Sequence, residues 1–275
     1  MLAKSSAWIL RLSLLRCIIL ALVKTHIQNS KNLYYHKRIQ TKGRKMADQE
    51  KKIRILKDGP YLVSGSVPLD LEKMVPDQEG NPYKFEKAKT YEAGETYALC
   101  RCGHTKGRPF CDGTHKDIGF TAQTGKHKCY NDEAEVFRGG TIELLDQEEL
   151  CIGARFCDRL GRTWNLAVAS SNEHPEYEKA ATEEACLCPA GRLTVRKDGK
   201  EIEFAYPQEI ALLEDEYHSL KGPIFVKGGI PLIDENGEEY EKRNRRTLCR
   251  CGESGNMPFC DASHFYCKHM QGSDV

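Results

Sequence analysis

The sequence contains none of the short motifs that identify several common classes of enzyme. A glycine-rich phosphate-binding loop, an HExxH zinc helix and a nucleophile elbow are all missing. We therefore expect a protein that is not an enzyme. Any reactivity would have to come from bound groups.

The chain also has almost no net charge, +1 over 275 residues. Acidic residues are missing from residues 1–47, which hold ten of the 41 Lys and Arg residues, so the remainder carries 31 basic against 40 acidic side chains. Such an acidic body argues against a nucleic-acid binder, which would present a basic face. With 40% hydrophobic and 29% charged residues, the composition is typical of a globular protein of one to three domains.

A long uninterrupted apolar run is absent too. Residues 7–23 are mostly apolar but are interrupted by Arg11 and Arg16. Each arginine costs about 2.5–3.5 kcal/mol near a bilayer centre, which disfavours a spanning helix. Residues 1–47 therefore have three interpretations: a mis-assigned start before translation from Met46, an organellar transit peptide or a signal anchor. We expect a cytoplasmic protein in the first case, and a mitochondrial or other organellar one if the leader is a transit peptide.

Cysteine is the residue type that stands out. Ten of the thirteen cysteines lie in tight groups with one to eight residues between neighbours, unlike the spread spacing of a secreted disulfide framework. Such grouping suits ligands that converge on a metal. We expect the remaining three, Cys17, Cys129 and Cys267, to be bystanders.

The chain contains an internal repeat. Residues 59–69 and 222–232 match at an offset of 163, and both alternate apolar residues between Gly and Pro, which predicts strands. Each copy then reaches the same sequence, LCRCG, at Leu99 and at Leu248. The repeating unit is thus a strand, a turn, a second strand and a cysteine cluster.

This repeat predicts four segments. They are a basic leader or mis-assigned start at 1–47, a first module at 48–125, a central segment at 126–205 and a second module at 206–275. We predict an α+β fold of mostly small β modules with short helices. Modules this small bury little apolar surface, so bound metal would stabilise them.

The central segment has its own local pattern. The Ala and Glu content of residues 176–187 favours a helix, which Pro189 and Gly191 would end. Residues 193–204 alternate around Asp198 and Gly199, which predicts a hairpin.

Both cysteine clusters follow one spacing, Cys-x-Cys-x2-[Thr/Ser]-x3-Pro-x-Cys-Asp-[Gly/Ala]-[Thr/Ser]-His. Thiolate and imidazole are ligands of zinc and of iron–sulfur clusters, and three plus one completes a four-ligand site. Zinc sites usually pair their cysteines as Cys-x2-4-Cys, so this spacing weakens the zinc interpretation without excluding it. We expect Asp112 and Asp261 to act as N-caps of short helices that carry the histidines.

The pattern resembles the CDGSH iron–sulfur family, the mitoNEET-like proteins, over residues 100–120 and 248–264. That resemblance implies two [2Fe-2S] clusters, each held by three cysteines and one histidine. The implied ligands are Cys100, Cys102, Cys111 and His115 for the first cluster, and Cys249, Cys251, Cys260 and His264 for the second. Ala262 stands where the family usually has glycine, so the second site is strained if that residue needs a positive φ.

The central segment is similar, more faintly, to a divergent mono-cluster ferredoxin-like segment of the 4Fe-4S type. The matched positions are Cys151, Cys157 and Cys188, and Cys186 is added on proximity alone. The usual Cys-x2-Cys-x2-Cys run is absent. The segment is therefore open either to one [3Fe-4S] or [4Fe-4S] cluster or to buried thiols without metal.

These resemblances imply an iron–sulfur carrier. Its expected role is electron transfer or cluster transfer, with a redox partner or an apo-acceptor protein as its counterpart. We expect a monomer, with the two modules paired about a pseudo-twofold axis. Two alternatives remain open: a zinc-stabilised interaction module, and an electron-entry subunit of a larger oxidoreductase.

Overall fold

The computed structural model describes residues 50–122, 124–125 and 128–274, which belong to a single unit, Gln49–Val275. Our interpretations of residues 1–47, including the role of Cys17, lie outside these described residues. Within them the fold is α+β, with small sheets and few helices, as the sequence predicts.

The described strands are mostly short. They are β1 (Lys52–Ile55), β2 (Tyr61–Ser64), β3 (Leu69–Pro76), β4 (Pro82–Tyr91), β5 (Thr96–Leu99), β6 (Glu135–Phe137), β7 (Glu143–Asp146), β8 (Leu193–Lys197), β9 (Lys200–Ile202), β10 (Ile210–Asp215), β11 (Leu220–Lys227), β12 (Leu232–Ile233) and β13 (Arg245–Leu248).

The described helices are short as well, apart from one. The α-helices are α1 (Thr114–Asp117), α2 (Tyr130–Glu133), α3 (Thr163–Ala169) and α4 (Pro175–Leu187), and the 3₁₀ helices are Glu148–Leu150, Phe156–Asp158, Ser263–Tyr266 and Lys268–Met270.

Two of the three sheets combine strands from both copies of the repeat. The first sheet has the order β12-β1-β2-β5, and the second has the order β13-β11-β10-β3-β4. The predicted strands of the repeat are confirmed, since β2 and β3 lie in the first copy where β11 and β12 lie in the second.

Each copy contributes one strand to the sheet of the other. Strand β12 of the second copy pairs in parallel with β1, and Leu232 lies opposite Ile53. Strand β3 of the first copy pairs in parallel with β10, and Leu69 lies opposite Ile210. Because Leu69 and Leu232 are equivalent in the repeat, the exchange of strands is reciprocal and has the same register on both sides.

The largest hydrophobic core lies where these two sheets meet. It combines first-copy side chains such as Tyr61 and Leu71 with second-copy side chains such as Leu212, and these three are 0% exposed. A buried ion pair also joins the copies, with Lys227 Nζ at 2.6 Å from Glu72 Oε1. The two copies therefore share one apolar interior and bury comparatively little surface separately.

The third sheet belongs to the central segment. Its order is β6-β7-β8-β9, and helices α3 and α4 pack on it through Leu166, Ala181 and Ala185. The predicted helix is confirmed as α4, and the predicted hairpin is confirmed as β8 and β9 with Asp198 and Gly199 in the turn. Among the described residues, no helix is both long enough and apolar enough to cross a bilayer.

Candidate metal centres

The first site lies at the carboxyl end of β5. Cys100 directly follows this strand, and its amide donates to the carbonyl of Pro109 at 3.0 Å. The loop then returns so that the amide of Cys111 donates to Ala98 at 2.9 Å. Both ligand-bearing stretches are thus fixed to one strand, and α1 begins three residues after Cys111.

The four predicted ligands of the first site come together as two pairs. Cys100 Sγ lies 3.7 Å from Cys102 Sγ, and Cys111 Sγ lies 3.3 Å from Nδ1 of His115. Cys100, Cys102 and His115 are buried, and Cys111 is half-buried. Since Nδ1 faces the cysteine, it is the imidazole nitrogen available to a metal.

The second site repeats this arrangement after β13. Cys249 Sγ lies 3.5 Å from Cys251 Sγ, and Cys260 Sγ lies 3.4 Å from Nδ1 of His264. All four of these side chains are buried, with at most 3% of any one exposed. The second site is therefore more enclosed than the first.

The aspartates hold the ligand loops together, although they are not the N-cap residues that the sequence predicts. Gly113 and Ala262 occupy the N-cap positions, one residue later. Asp112 accepts hydrogen bonds from the amides of Thr114 at 3.0 Å and Lys106 at 2.9 Å. Although burial raises its pKa, these backbone bonds lower the pKa of Asp112 to about 2.

Asp261 makes the equivalent bonds in the second site, to the amides of Ser263 at 3.0 Å and Gly255 at 2.8 Å. A carboxylate with two amide donors remains ionised and does not compete with the cysteines for a metal. Each aspartate thus links the loop before the third cysteine to the helix that carries the histidine.

One thiol in each site is ready to act as a ligand. A hydrogen bond from Cys102 lowers the pKa of Cys100 to about 6, and a hydrogen bond from Cys251 lowers the pKa of Cys249 to about 7. The same bonds raise the pKa of Cys102 and of Cys251. Because the thiolate is the ligating form, metal binding must release protons from the remaining thiols.

Burial keeps the two histidines neutral. It lowers the pKa of His115, and it lowers the pKa of His264 to about 4, helped by the charge of Arg250. The neutral ring is the form that binds metal, so both sites hold their imidazoles ready at neutral pH.

Several neighbours of the two sites are absent from the sequence-based predictions. The hydroxyl of Tyr61, in the first copy, donates to the carbonyl of Cys249 at 2.9 Å in the second site. The rings of His104 and His269 lie 4.6 Å apart, each within hydrogen-bond distance of the carbonyl of a ligand cysteine, Cys102 or Cys251. The bond from Tyr61 to Cys249 and the contact between the two histidine rings join residues of different copies, so local spacing carries no signal for them.

Cys267 is not a distant bystander. It is buried in one apolar cluster with Cys249 and Cys251. Burial raises the pKa of Cys267, and a hydrogen bond with Cys251 lowers it. Cys129 is exposed, just before α2.

Among the four cysteines of the central segment, Cys186 has different surroundings from Cys151, Cys157 and Cys188. Burial raises the pKa of Cys157, and the negative charges of Cys188, Asp158 and Cys151 raise it further. Cys186 is directed elsewhere, because its Sγ donates to the carbonyl of Ile202 at 3.4 Å. Cys188 packs against the apolar cluster that contains Cys260, so it lies near the second site.

The donor sets fit a metal centre by their chemistry. Each set contains three thiols and one imidazole, donors that suit soft or borderline metals. Over the described residues, no three His, Cys, Asp or Glu side chains are close enough to share one ion. In both sites the candidate ligands are instead arranged as one Cys–Cys pair and one Cys–His pair.

We predict that substitutions at the helix N-cap have opposite effects on stability in the two sites: glycine should stabilise the second site and alanine should destabilise the first. Ala262 has φ 69° and Gly113 has φ 93°, the left-handed region that favours glycine. Ala262→Gly should therefore raise the free energy of unfolding by about 1 kcal/mol, and Gly113→Ala should lower it by a similar amount. Denaturant unfolding of anaerobically purified protein measures both, and a destabilised Ala262→Gly variant would contradict the strain argument.

Comparison with known proteins agrees with this geometry. Residues 58–116 and 221–265 match the family model described as iron-binding zinc finger, CDGSH type. The two matches contain the two ligand clusters and leave the central segment unmatched. No curated protein and no solved structure matches the chain. The chain therefore carries two segments in tandem that match the CDGSH-type iron-binding family.

Proposed function

We propose that each CDGSH site holds one [2Fe-2S] cluster and that the chain is a carrier of electrons or of clusters. The observation that carries this proposal is the division of each ligand set into a Cys–Cys pair and a Cys–His pair, with 3.3–3.7 Å between the atoms of a pair. A two-iron cluster takes two protein ligands at each iron, which matches two pairs.

The zinc alternative fits this arrangement less well. A structural zinc ion takes four donors at the corners of one tetrahedron, with distances of about 2.0–2.3 Å to each. Two pairs, repeated in both copies, favour a centre with two metal positions. A zinc-stabilised interaction module remains the competing function.

The histidine distinguishes these sites from ferredoxins with four cysteines. A neutral imidazole in place of a thiolate removes one negative charge and raises the reduction potential; two histidines raise it to roughly −150 to +300 mV from about −400 mV. When bound, the cluster supplies reversible one-electron chemistry. His115 would hold the cluster of the first site and His264 that of the second, each through Nδ1.

The role as a carrier is our proposal, and it is supported by the one-electron chemistry that such a cluster would supply. A redox protein or an apo-acceptor would receive the electron or the cluster, and a larger oxidoreductase is an alternative destination for the electron. The reciprocal exchange of β3 and β12 supports a monomer, since each copy already has its partner strand within the same chain.

A further cluster in the central segment is a second candidate function. The charges of Cys188 and Cys151 act on the pKa of Cys157, which supports these three cysteines as ligands of a [3Fe-4S] cluster, or of a [4Fe-4S] cluster with one other ligand. Cys186 is the weakest of the four cysteines that the sequence suggests, because its thiol is directed to Ile202.

Acid should destroy the first site before the second. His115 is 9% exposed and His264 is 3% exposed. Because a charged imidazole loses less hydration at the more exposed position, His115 is easier to protonate than His264. Each imidazole is neutral above its ordinary pKa near 6.5, and metal binding is lost as the pH falls through the lowered pKa. We expect two steps in the loss of visible absorbance on acidification, with the step at higher pH belonging to the first site.

The variant His115→Cys tests this assignment. It should remove the step at higher pH and lower the reduction potential of that site, since a thiolate adds a negative charge. His264→Cys is the matched control and should remove only the step at lower pH. An unchanged acid profile in His115→Cys would show that the histidine does not control acid lability.

The central cluster is tested by Cys188→Ser, with Cys186→Ser as its control. If the central segment binds iron through Cys151, Cys157 and Cys188, the first variant should contain less iron per chain and the second should contain as much as the parent. Equal iron in Cys188→Ser and the parent would exclude Cys188 as a ligand. That result would not change the proposal for the two CDGSH sites.

A further inference from the structure

A cavity of about 60 Å³ lies between the central segment and the second CDGSH segment. Its size exceeds the roughly 10–15 Å³ that a single water molecule needs. The lining residues used below are Tyr130 and Glu149 from the central segment, and Glu241, Arg243 and Arg246 from the second copy.

Two arginines of this cavity have nitrogen atoms without partners. Nη1 of Arg243 and Nε of Arg246 are buried and form no hydrogen bond within the part of the chain that the structure describes. Arg246 is 3% exposed. Arg245, between them in sequence, differs because Glu203 lies 2.6 Å from its guanidinium.

The remaining contacts of these two arginines hold them in place without neutralising them. Nη2 of Arg243 donates to the carbonyl of Gly191 at 2.8 Å and to Oγ1 of Thr194 at 3.2 Å. Nη2 of Arg246 donates to the carbonyl of Glu241. These acceptors are all uncharged, and the guanidinium carbon of Arg243 also lies 3.5 Å from the centre of the Tyr130 ring. Two cationic side chains thus line one cavity, and neither forms an ion pair within the described part of the chain.

The electrostatics of the cavity point in the same direction. Burial lowers the pKa of Arg246 to about 10 and the charge of Arg243 lowers it further, which outweighs the opposite effect of Glu241 and Glu239. The two carboxylates of the lining are engaged elsewhere: Glu241 accepts from the amide of Tyr130 at 2.8 Å, and Glu149 pairs with Lys128 at 3.2 Å. Buried charge without a partner is costly, and an anion between the guanidiniums would relieve that cost.

We propose that this cavity is a binding site for a phosphate group, with Nη1 of Arg243 and Nε of Arg246 as its donors. Guanidinium groups donate well to phosphate oxygens. A dianion matches two guanidiniums better than a carboxylate does, because its two negative charges balance their two positive charges.

The two donors are present in the second copy alone. At the offset of 149 that relates the two LCRCG sequences, the first copy has Gly94 and Tyr97 where the second has Arg243 and Arg246. The cavity is also lined by Thr247 and Phe259, each close in sequence to a ligand cysteine of the second site. A bound phosphate group would therefore lie beside the second CDGSH site and not beside the first.

Calorimetric titration of the metal-loaded full chain with inorganic phosphate, at constant ionic strength, tests the proposal. We expect saturable binding at one site per chain, and about tenfold weaker binding in Arg243→Gln, which removes a charged donor. Arg138→Gln is the matched control, because Arg138 is exposed and pairs with Glu143 away from this cavity. It should bind phosphate as the parent does.

A variant with the opposite effect separates binding from misfolding. Glu241→Gln removes a negative charge from the cavity and keeps an oxygen that can accept from Tyr130, so it should bind phosphate several-fold more tightly. Misfolding would not increase affinity. No saturable binding by the parent, equal affinity in Arg243→Gln, or equal affinity for acetate and phosphate would each overturn the proposal.

Discussion

The parallel pairing of β3 with β10, and of β12 with β1, is the constraint on which the rest of the structure depends. Each pairing extends the sheet of one copy with a strand of the other, so neither copy completes its sheet alone. The shared core between the sheets follows from it, and β5 and β13 are held in the same two sheets. Since the ligand loops begin where β5 and β13 end, the exchange of strands also positions both metal centres.

Within this symmetric frame the two centres have different surroundings. The second is more buried, carries Ala262 in a left-handed conformation, and is bordered by Cys267, by Cys188 and by the cationic cavity. The first is more exposed through Cys111 and His115. Two sites with the same ligands thus have different desolvation, and desolvation determines both the pKa of a histidine ligand and the access of a partner.

The sequence predicts features formed by residues that are close together in the chain. It misses features that depend on contacts between distant residues. Each set of four ligands lies within sixteen residues, so spacing alone brings Cys100 and His115 to one loop, and α4 and the β8–β9 hairpin follow from composition and turn residues in the same way. The strand exchange, the bond from Tyr61 to Cys249 and the convergence of Arg243 with Arg246 depend on pairings that are distant along the chain or on burial, which no local pattern encodes. The N-cap position was predicted one residue early, because an aspartate side chain can bond to the same amide from the residue before the cap.

The central claim is that the two CDGSH sites each hold a two-iron cluster. The most direct test is an absorbance spectrum of anaerobically purified protein together with analysis of iron, zinc and acid-labile sulfide. The account predicts a coloured protein, bleached by dithionite, with at least about four iron atoms and four sulfide ions per chain. A colourless protein with about two zinc ions and no sulfide would contradict it, since one zinc per site would then satisfy each ligand set.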